Sequence, residues 1–207
     1  MDELARELGQ GKTVEAVLDA WYAANDAGSA AGTARWAAPD LDTTDWQKVD
    51  NMPAQWDATP IGNRYSGVVW FRKEVTLPDA WAGKDLQLSL CGIVDVDTTY
   101  FNGEVVGGDE TVWRDRVYTI PGAKVKPGRA VIAVRMFGNT DGPGFRKDLG
   151  QGFQVAAVGL LNPIPLAGEW LFRTNSAPMA SPLPRRPNSN TAGAAFNGMI
   201  QPLLAVP

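Results

Sequence analysis

Two spacings of apolar residues divide this chain. In "TVEAVLDAWYAAN" (13–25), Val14, Val17, Leu18, Trp21 and Tyr22 recur at i, i+3, i+4, i+7 and i+8, which is one face of a helix. The spacing predicts helix within residues 1–28. Thr13 serves as N-cap, Glu15 and Asp19 are acids early in the helix, and Asn25 and Gly28 are stop signals. Such a stripe packs on its own domain or offers a face to a partner.

Beyond the helix the period changes to two. "GVVWFRKEVTL" (67–77) places Val69, Phe71, Val75 and Leu77 on one face, which leaves Trp70 exposed or under a loop. "DLQLSLCG" (85–92) alternates Leu86, Leu88 and Leu90 with Gln87 and Ser89, and "VDVDTTYFNG" (94–103) alternates Val94, Val96, Thr98 and Tyr100 with Asp95, Asp97 and Thr99. "TVWRDRVYTI" (111–120), "RAVIAVRMFG" (129–138), "FQVAAVGLL" (153–161) and "GEWLFR" (168–173) continue the series. Residues 36–56 read as loop, because "PDLDTTDW" and "NMPAQW" are turn-rich. Short strands with turns between them make an all-β sandwich or barrel. After Asn175 comes "SAPMASPLPRRPNSNTAG", which cannot build a core and reads as a tail or an extended strap.

Composition fits one soluble domain. The chain has 207 residues, of which 44% are hydrophobic and 20% charged, and its 22 glycines and 15 prolines suit a turn-rich β architecture. A net charge of -4 with no basic run argues against a nucleic-acid partner, since nothing would neutralise a row of phosphates. No apolar stretch reaches the ~20 residues of a membrane span, and the charged N-terminus lacks the apolar core of a signal peptide. Cys91 lies in a strand-like apolar run and reads as a buried, inert thiol. The sequence contains no histidine. Serine and cysteine hydrolases need an imidazole as general base, and most zinc sites need one as ligand, so the chain reads as non-catalytic.

The stretch from Trp46 through "PAQW" (53–56), "WFRK" (70–73), Leu86 to Gly92 and "YFNGEVVG" (100–107) resembles the sugar-binding domain of the β-galactosidase and β-glucuronidase family. The resemblance covers about residues 46–160 and implies a galactose-binding-like jelly-roll β-sandwich. Asn102-Gly103 between apolar runs also favours a two-residue type I′ turn on its own physics, because both residues accept positive φ. "FNGMIQPL" (196–203) resembles the re-entry segment of sialate O-acetylesterase-like enzymes, whose SGNH catalytic domain is interrupted by such a jelly roll. That likeness implies three parts: a helical linker at 1–45, a carbohydrate-binding-like domain at 46–173, and a Pro-rich return linker at 174–207 ending where a catalytic half would resume. The family's Gly-Asp-Ser and Asp-x-x-His motifs are absent. "GNTD" (138–141) has the residues of an SGNH block in the wrong order.

Sugar recognition needs aromatic faces for C–H-rich surfaces and planar polar groups for hydroxyls. Trp113 is the first candidate, set among Asp109, Glu110, Arg114 and Asp115; the alternative is that it plugs the core. Trp70 is the second. The glycine-rich segment 138–153 offers Asn139, Asp141 and Arg146 and is expected to project from the sandwich, with Arg146 donating and Asp141 accepting at a sugar. Asp95 and Asp97 are a solvated strand face or, as the jelly-roll likeness allows, ligands of a structural calcium; no other cofactor is implied. The resulting expectation is a non-catalytic module from a secreted or periplasmic bacterial carbohydrate acetylesterase of sialate or xyloglucan type. Its partners would be an oligo- or polysaccharide and the SGNH domain. The rival expectation is an inserted domain that only stabilises its host.

Overall fold

The strand-forming runs assemble into two antiparallel sheets packed face to face. The computed structural model describes residues 6–7, 9–30, 33–62, 65–94, 96–111, 114–138, 143–147 and 152–175. In chain order these comprise α1 (Val14–Asn25), a short pair β1 (Ser29–Ala30) and β2 (Thr33–Ala34), then β3 (Gln47–Met52), β4 (Gly67–Leu77), β5 (Leu86–Val94), β6 (Val96–Phe101), β7 (Glu104–Asp109) and β8 (Asp115–Ile120). After them come β9 (Gly128–Gly138), β10 (Gly144–Arg146), β11 (Phe153–Ala157), β12 (Ile164–Pro165) and β13 (Gly168–Thr174). One sheet runs β3-β13-β4-β9-β6-β7. In the other, β5 is central: β8 pairs along one side, and β10 and β11 pair in succession along the other. The expected all-β sandwich is what forms.

The inner faces make the main core. Val69, Phe71, Val75 and Leu77 of β4 meet Leu86, Leu88 and Leu90 of β5, as their alternation predicts. The outer face of the larger sheet is covered too. Val68 and Trp70 of β4, Ala133 and Phe137 of β9 and Tyr100 of β6 pack under Trp21, Tyr22, Trp36, Ala37 and Trp46. The described residues of 14–30 and 33–46 therefore form a third layer on the sandwich. Both faces of β4 over Gly67–Arg72 and of β9 over Ala130–Gly138 are buried, which is why "VVWFR" is buried without interruption, its arginine included.

That arginine has a defined job. Arg72 is buried and donates to the carbonyls of Trp36 (2.6 Å) and Ala38 (3.0 Å), fastening the incoming segment to the sheet. Burial lowers its pKa. Thr13 caps α1 by accepting from Ala16 N at 3.1 Å, and the helix ends at Asn25. Its apolar stripe faces its own domain, not a partner. The Asn102-Gly103 turn has φ of 48° and 86°, both positive as a type I′ turn requires. At Gly107 a side chain is excluded, because the Tyr118 ring occupies the place of a Cβ.

Four readings need correction. Residues 47–52 are a strand, not loop: β3 pairs with the edge of β13 through a bulge, and only Val49 and Met52 turn inward, too sparse a pattern for period two. Residues 158–161 leave the sheet, and Val158, Leu160 and Leu161 are exposed in a turn. The middle of segment 138–153 does not project: β10 pairs Gly144, Phe145 and Arg146 with Val94, Ile93 and Gly92, and Phe145 is buried against Phe71, Phe153 and Trp170. Asp97 is not a solvated strand carboxylate. It points between the sheets to Arg116, because the outer face of β6 already belongs to Val96, Thr98 and Tyr100.

Candidate functional site

The third layer stops short of the sheet edge. α1 and residues 26–30 and 33–46 cover β4 and β9, but the outer face of β6 and β7 lies open beside them. The result is a broad groove of about 1010 Å³. One wall is α1, through Leu18, Asp19 and Tyr22; the other is the glycine-containing β7 with residues beyond it, through Asp109, Glu110, Thr111 and Arg114. Thr98 and Tyr100 of β6 and Arg135 of β9 also line it, with Ala34, Val96 and Val105 as apolar members.

Sheet register explains the chemistry here. Trp70, Arg135, Thr98 and Gly108 stand side by side across β4, β9, β6 and β7. Trp70 is wholly buried, stacked on Tyr100 with centroids 5.4 Å apart, and its Nε1 donates to the Asp26 carboxylate at 2.9 and 3.0 Å. It offers no face to a ligand, which corrects the expectation of an exposed platform. The cause is the layer above it, which strand alternation alone does not reveal. Asp26, at the end of α1, also accepts from Gly28 N (2.8 Å) and the Ser29 hydroxyl (2.7 Å). Arg135 is 7% exposed and lies over the Tyr22 ring, 3.4 Å from its centroid. It donates from Nη1 to Ser29 Oγ (2.9 Å) and from Nη2 to Thr98 Oγ1 (3.0 Å), with the Asp26 carboxylate 4.0 Å from Nη1. Burial raises the phenol pKa of Tyr22 and of Tyr100, so both are neutral hydroxyls.

Residues 109–111 and 114 are held from beneath. Arg116 is fully buried and pairs with Asp97 at 2.6 Å, and it donates to the carbonyls of Thr111 (2.9 Å), Arg114 (2.8 Å) and Asp109 (3.5 Å). Asp97 accepts further bonds from Thr99 (3.0 Å) and from the Tyr118 hydroxyl (2.8 Å). Its pKa is raised by burial, against the pull of Arg116. At the surface, Arg114 pairs with Asp109 at 3.2 Å. Burial raises the Asp109 pKa, but the Thr111 hydrogen bonds with Arg116 and Arg114 outweigh it and leave it lowered.

Of the sequence-predicted residues, Arg114 is exposed on the groove rim. Arg146 is half-buried on β10, opposite Gly92 in the other sheet, and does not line the groove. Trp113, Asn139 and Asp141 lie outside the described residues, as does Asp95. Asp97 is already committed to Arg116, and among the described residues no group of three or more His, Cys, Asp or Glu side chains could hold a metal. No described helix is long and apolar enough to cross a membrane. Sequence reasoning missed Arg135, Asp19, Tyr22, Thr98 and Tyr100 as groove residues. The available signal was Arg135 itself, a cation inside the apolar run "AVIAVRMF", which has to find partners.

No protein-family model matches the chain, and no curated protein matches it by sequence. Among solved structures it is similar to Ruminococcus gnavus β-glucuronidase, at 19% identity over 58% of this chain and 22% of that one, with a TM-score of 0.39. It is also similar to a β-glucuronidase from glycoside hydrolase family 2, at 19% identity over 50% of this chain and 12% of that one, with a TM-score of 0.44. The chain spans less than a quarter of the length of either enzyme.

Proposed function

We propose that this chain is a non-catalytic carbohydrate-binding module of a carbohydrate acetylesterase, holding a glycan in the groove over β6 and β7. The observation that carries the reading is the groove itself: a wide, open trough in which hydroxyls, carboxylates and two arginines stand among the apolar side chains of Leu18, Ala34, Val96 and Val105, beside an edge hairpin shaped by glycines. Such planar and hydroxyl groups suit a hydroxyl-rich ligand. Binding there would raise the concentration of acetylated chains near a neighbouring catalytic domain and orient them. An inserted module attaches to its host through both chain ends. In keeping with that, Asn175 after β13 hydrogen-bonds from its side-chain amide to the carbonyl of Asn25 at the end of α1. The SGNH host and its sialate or xyloglucan class rest on the flanking resemblance alone.

A second reading has its own observation. Trp21, Trp36, Trp46, Trp56, Trp70, Trp81 and Trp170 are all buried, so among the described residues no tryptophan offers a stacking face. A purely structural insertion would look like this. The two readings separate by titrating the isolated chain against a panel of acetylated and deacetylated oligosaccharides. Saturable binding that weakens at least fivefold in Arg114→Ala or Trp113→Ala, with unfolding temperature unchanged, supports the module. Failure of every saccharide to bind favours the structural role.

A further inference from the structure

The outer face of the smaller sheet is built unlike the rest of the surface. In register, Thr119, Gln87 and Ala156 form one row across β8, β5 and β11, and Val117, Ser89 and Gln154 form the next. These six point outward, because the residues alternating with them, such as Leu86, Leu88, Val155 and Ile120, fill the core. None of the six carries a charge, in a chain that is 20% charged. Five large apolar side chains stay exposed among the described residues, and four of them gather here. Val117 (43% exposed) lies on the face, Val158 (63%) continues the outward line of β11, and Leu160 (38%) and Leu161 (89%) stand in the turn that follows. Charges stand at the ends: Asp85 accepts from Gly122 N (2.7 Å) at one, and Asp115 and Arg146, of opposite sign, flank Gly92 at the other. The larger sheet buries its outer face under the third layer, whereas Gln87, Val117 and Thr119 remain exposed. A flat, charge-depleted patch with apolar members has the composition of a protein interface, not of a wet sheet face.

Two features name the occupant. The net charge of -4 makes two copies of the chain repel, least where their facing surfaces are uncharged. Glutamine, serine and threonine side chains each donate and accept, so a face built from them is complementary to itself, which a face of lysines or carboxylates is not. We infer that this face joins a second copy of the chain, sheet on sheet, across a two-fold axis running along β5. Three strands are about 14 Å wide, and about 25 Å of their length with the turn gives a footprint of about 350 Å². That is under the roughly 800 Å² per partner of a stable complex, so the dimer forms weakly, with a dissociation constant on the order of 100 µM. The inference goes beyond the carbohydrate reading and does not depend on it, since the groove lies on the other sheet.

The experiment is sedimentation velocity of the full chain from about 5 µM to about 1 mM. Mass should rise with concentration in wild type. Association should tighten between about 20 mM and about 500 mM salt, because salt screens the like net charges and leaves an uncharged contact untouched. Gln87→Lys sets like charges against each other at the axis and should weaken association at least tenfold. Gln47→Lys, the same change at an exposed position on β3 of the other sheet, should alter it less than twofold. Gln87→Glu alone should also fail to associate, and an equimolar mixture of Gln87→Lys with Gln87→Glu should associate at least tenfold more tightly than either alone. Should the Gln87 variants fold poorly, Leu161→Lys, in its exposed turn, should weaken association at least fivefold. A wild type that stays monomeric to about 1 mM overturns the inference. So does a dimer that tolerates Gln87→Lys or Leu161→Lys, or a folded Gln87 mixture that stays monomeric. Saccharide titration tests the carbohydrate reading separately, so failure of one does not count against the other.

Discussion

Replacing Arg116 with methionine should cost more than any surface substitution in this protein, and the cost should depend on pH. Arg116 and Asp97 both have fully buried side chains, 2.6 Å apart. Removing one partner of a buried pair strands the other charge, at about 3–5 kcal/mol. A second estimate sets a ceiling on the charge part. At pH 7 the stranded Asp97 can take a proton, at about 1.36 kcal/mol for each pH unit above its ordinary value of about 3.9, or about 4 kcal/mol. The carbonyls of Thr111, Arg114 and Asp109 lose their donor as well, at about 1 kcal/mol each where they stay dry. In the variant the folded-state pKa of Asp97 lies above the unfolded value. Its folded form is therefore favoured at low pH and penalised as pH rises through that folded pKa. At pH 5 the charge part should shrink to about 1.5 kcal/mol by the same arithmetic. Urea denaturation of wild type and Arg116→Met at pH 7 and pH 5 measures both numbers. The paired variant Asp97→Leu/Arg116→Met should regain most of the charge penalty but not the hydrogen bonds to the three carbonyls, so amide exchange at 109–111 and 114–115 should stay faster than in wild type. A deficit under about 1 kcal/mol at pH 7, or one that does not change with pH, would refute the reasoning.

Two further outcomes follow from the same structure. Trp70→Ala should destabilise by about 3–5 kcal/mol, the usual range for an aromatic removed from a core, with thermal unfolding as the measurement; a loss below about 1 kcal/mol would mean the third layer does not pack on the sheet. Asp109, whose pKa is lowered in the fold, should help hold Thr111 and Arg114 at the rim above its ordinary value of about 3.9 and release them as pH falls through the lowered one, which a pH titration of Arg114 side-chain or local amide NMR signals from pH 6 to pH 2 would follow.

Much of the fold was written in local pattern. Period two placed β4, β5, β6, β8, β9 and β13, period 3.6 placed α1 with its Thr13 cap, and Asn102-Gly103 specified its turn, because each signal is carried by residues that are neighbours on one element. Sequence also singled out Arg114, which the structure leaves exposed on the groove rim. What it could not supply is which face of a sheet is covered by something distant in the chain. Trp70 looked exposed because alternation assumes one wet face, and only the return of residues 14–30 and 33–46 over β4 and β9 made that face dry. The same event turned Arg72 and Arg135 into buried cations and left β6 and β7 open as a groove. Asp97 and Arg116 lie 19 residues apart, on strands of different sheets, and their meeting depends on sandwich geometry that neither segment encodes alone. Local pattern fixes which side chains can turn together; only the stacking of layers decides which of them water still reaches.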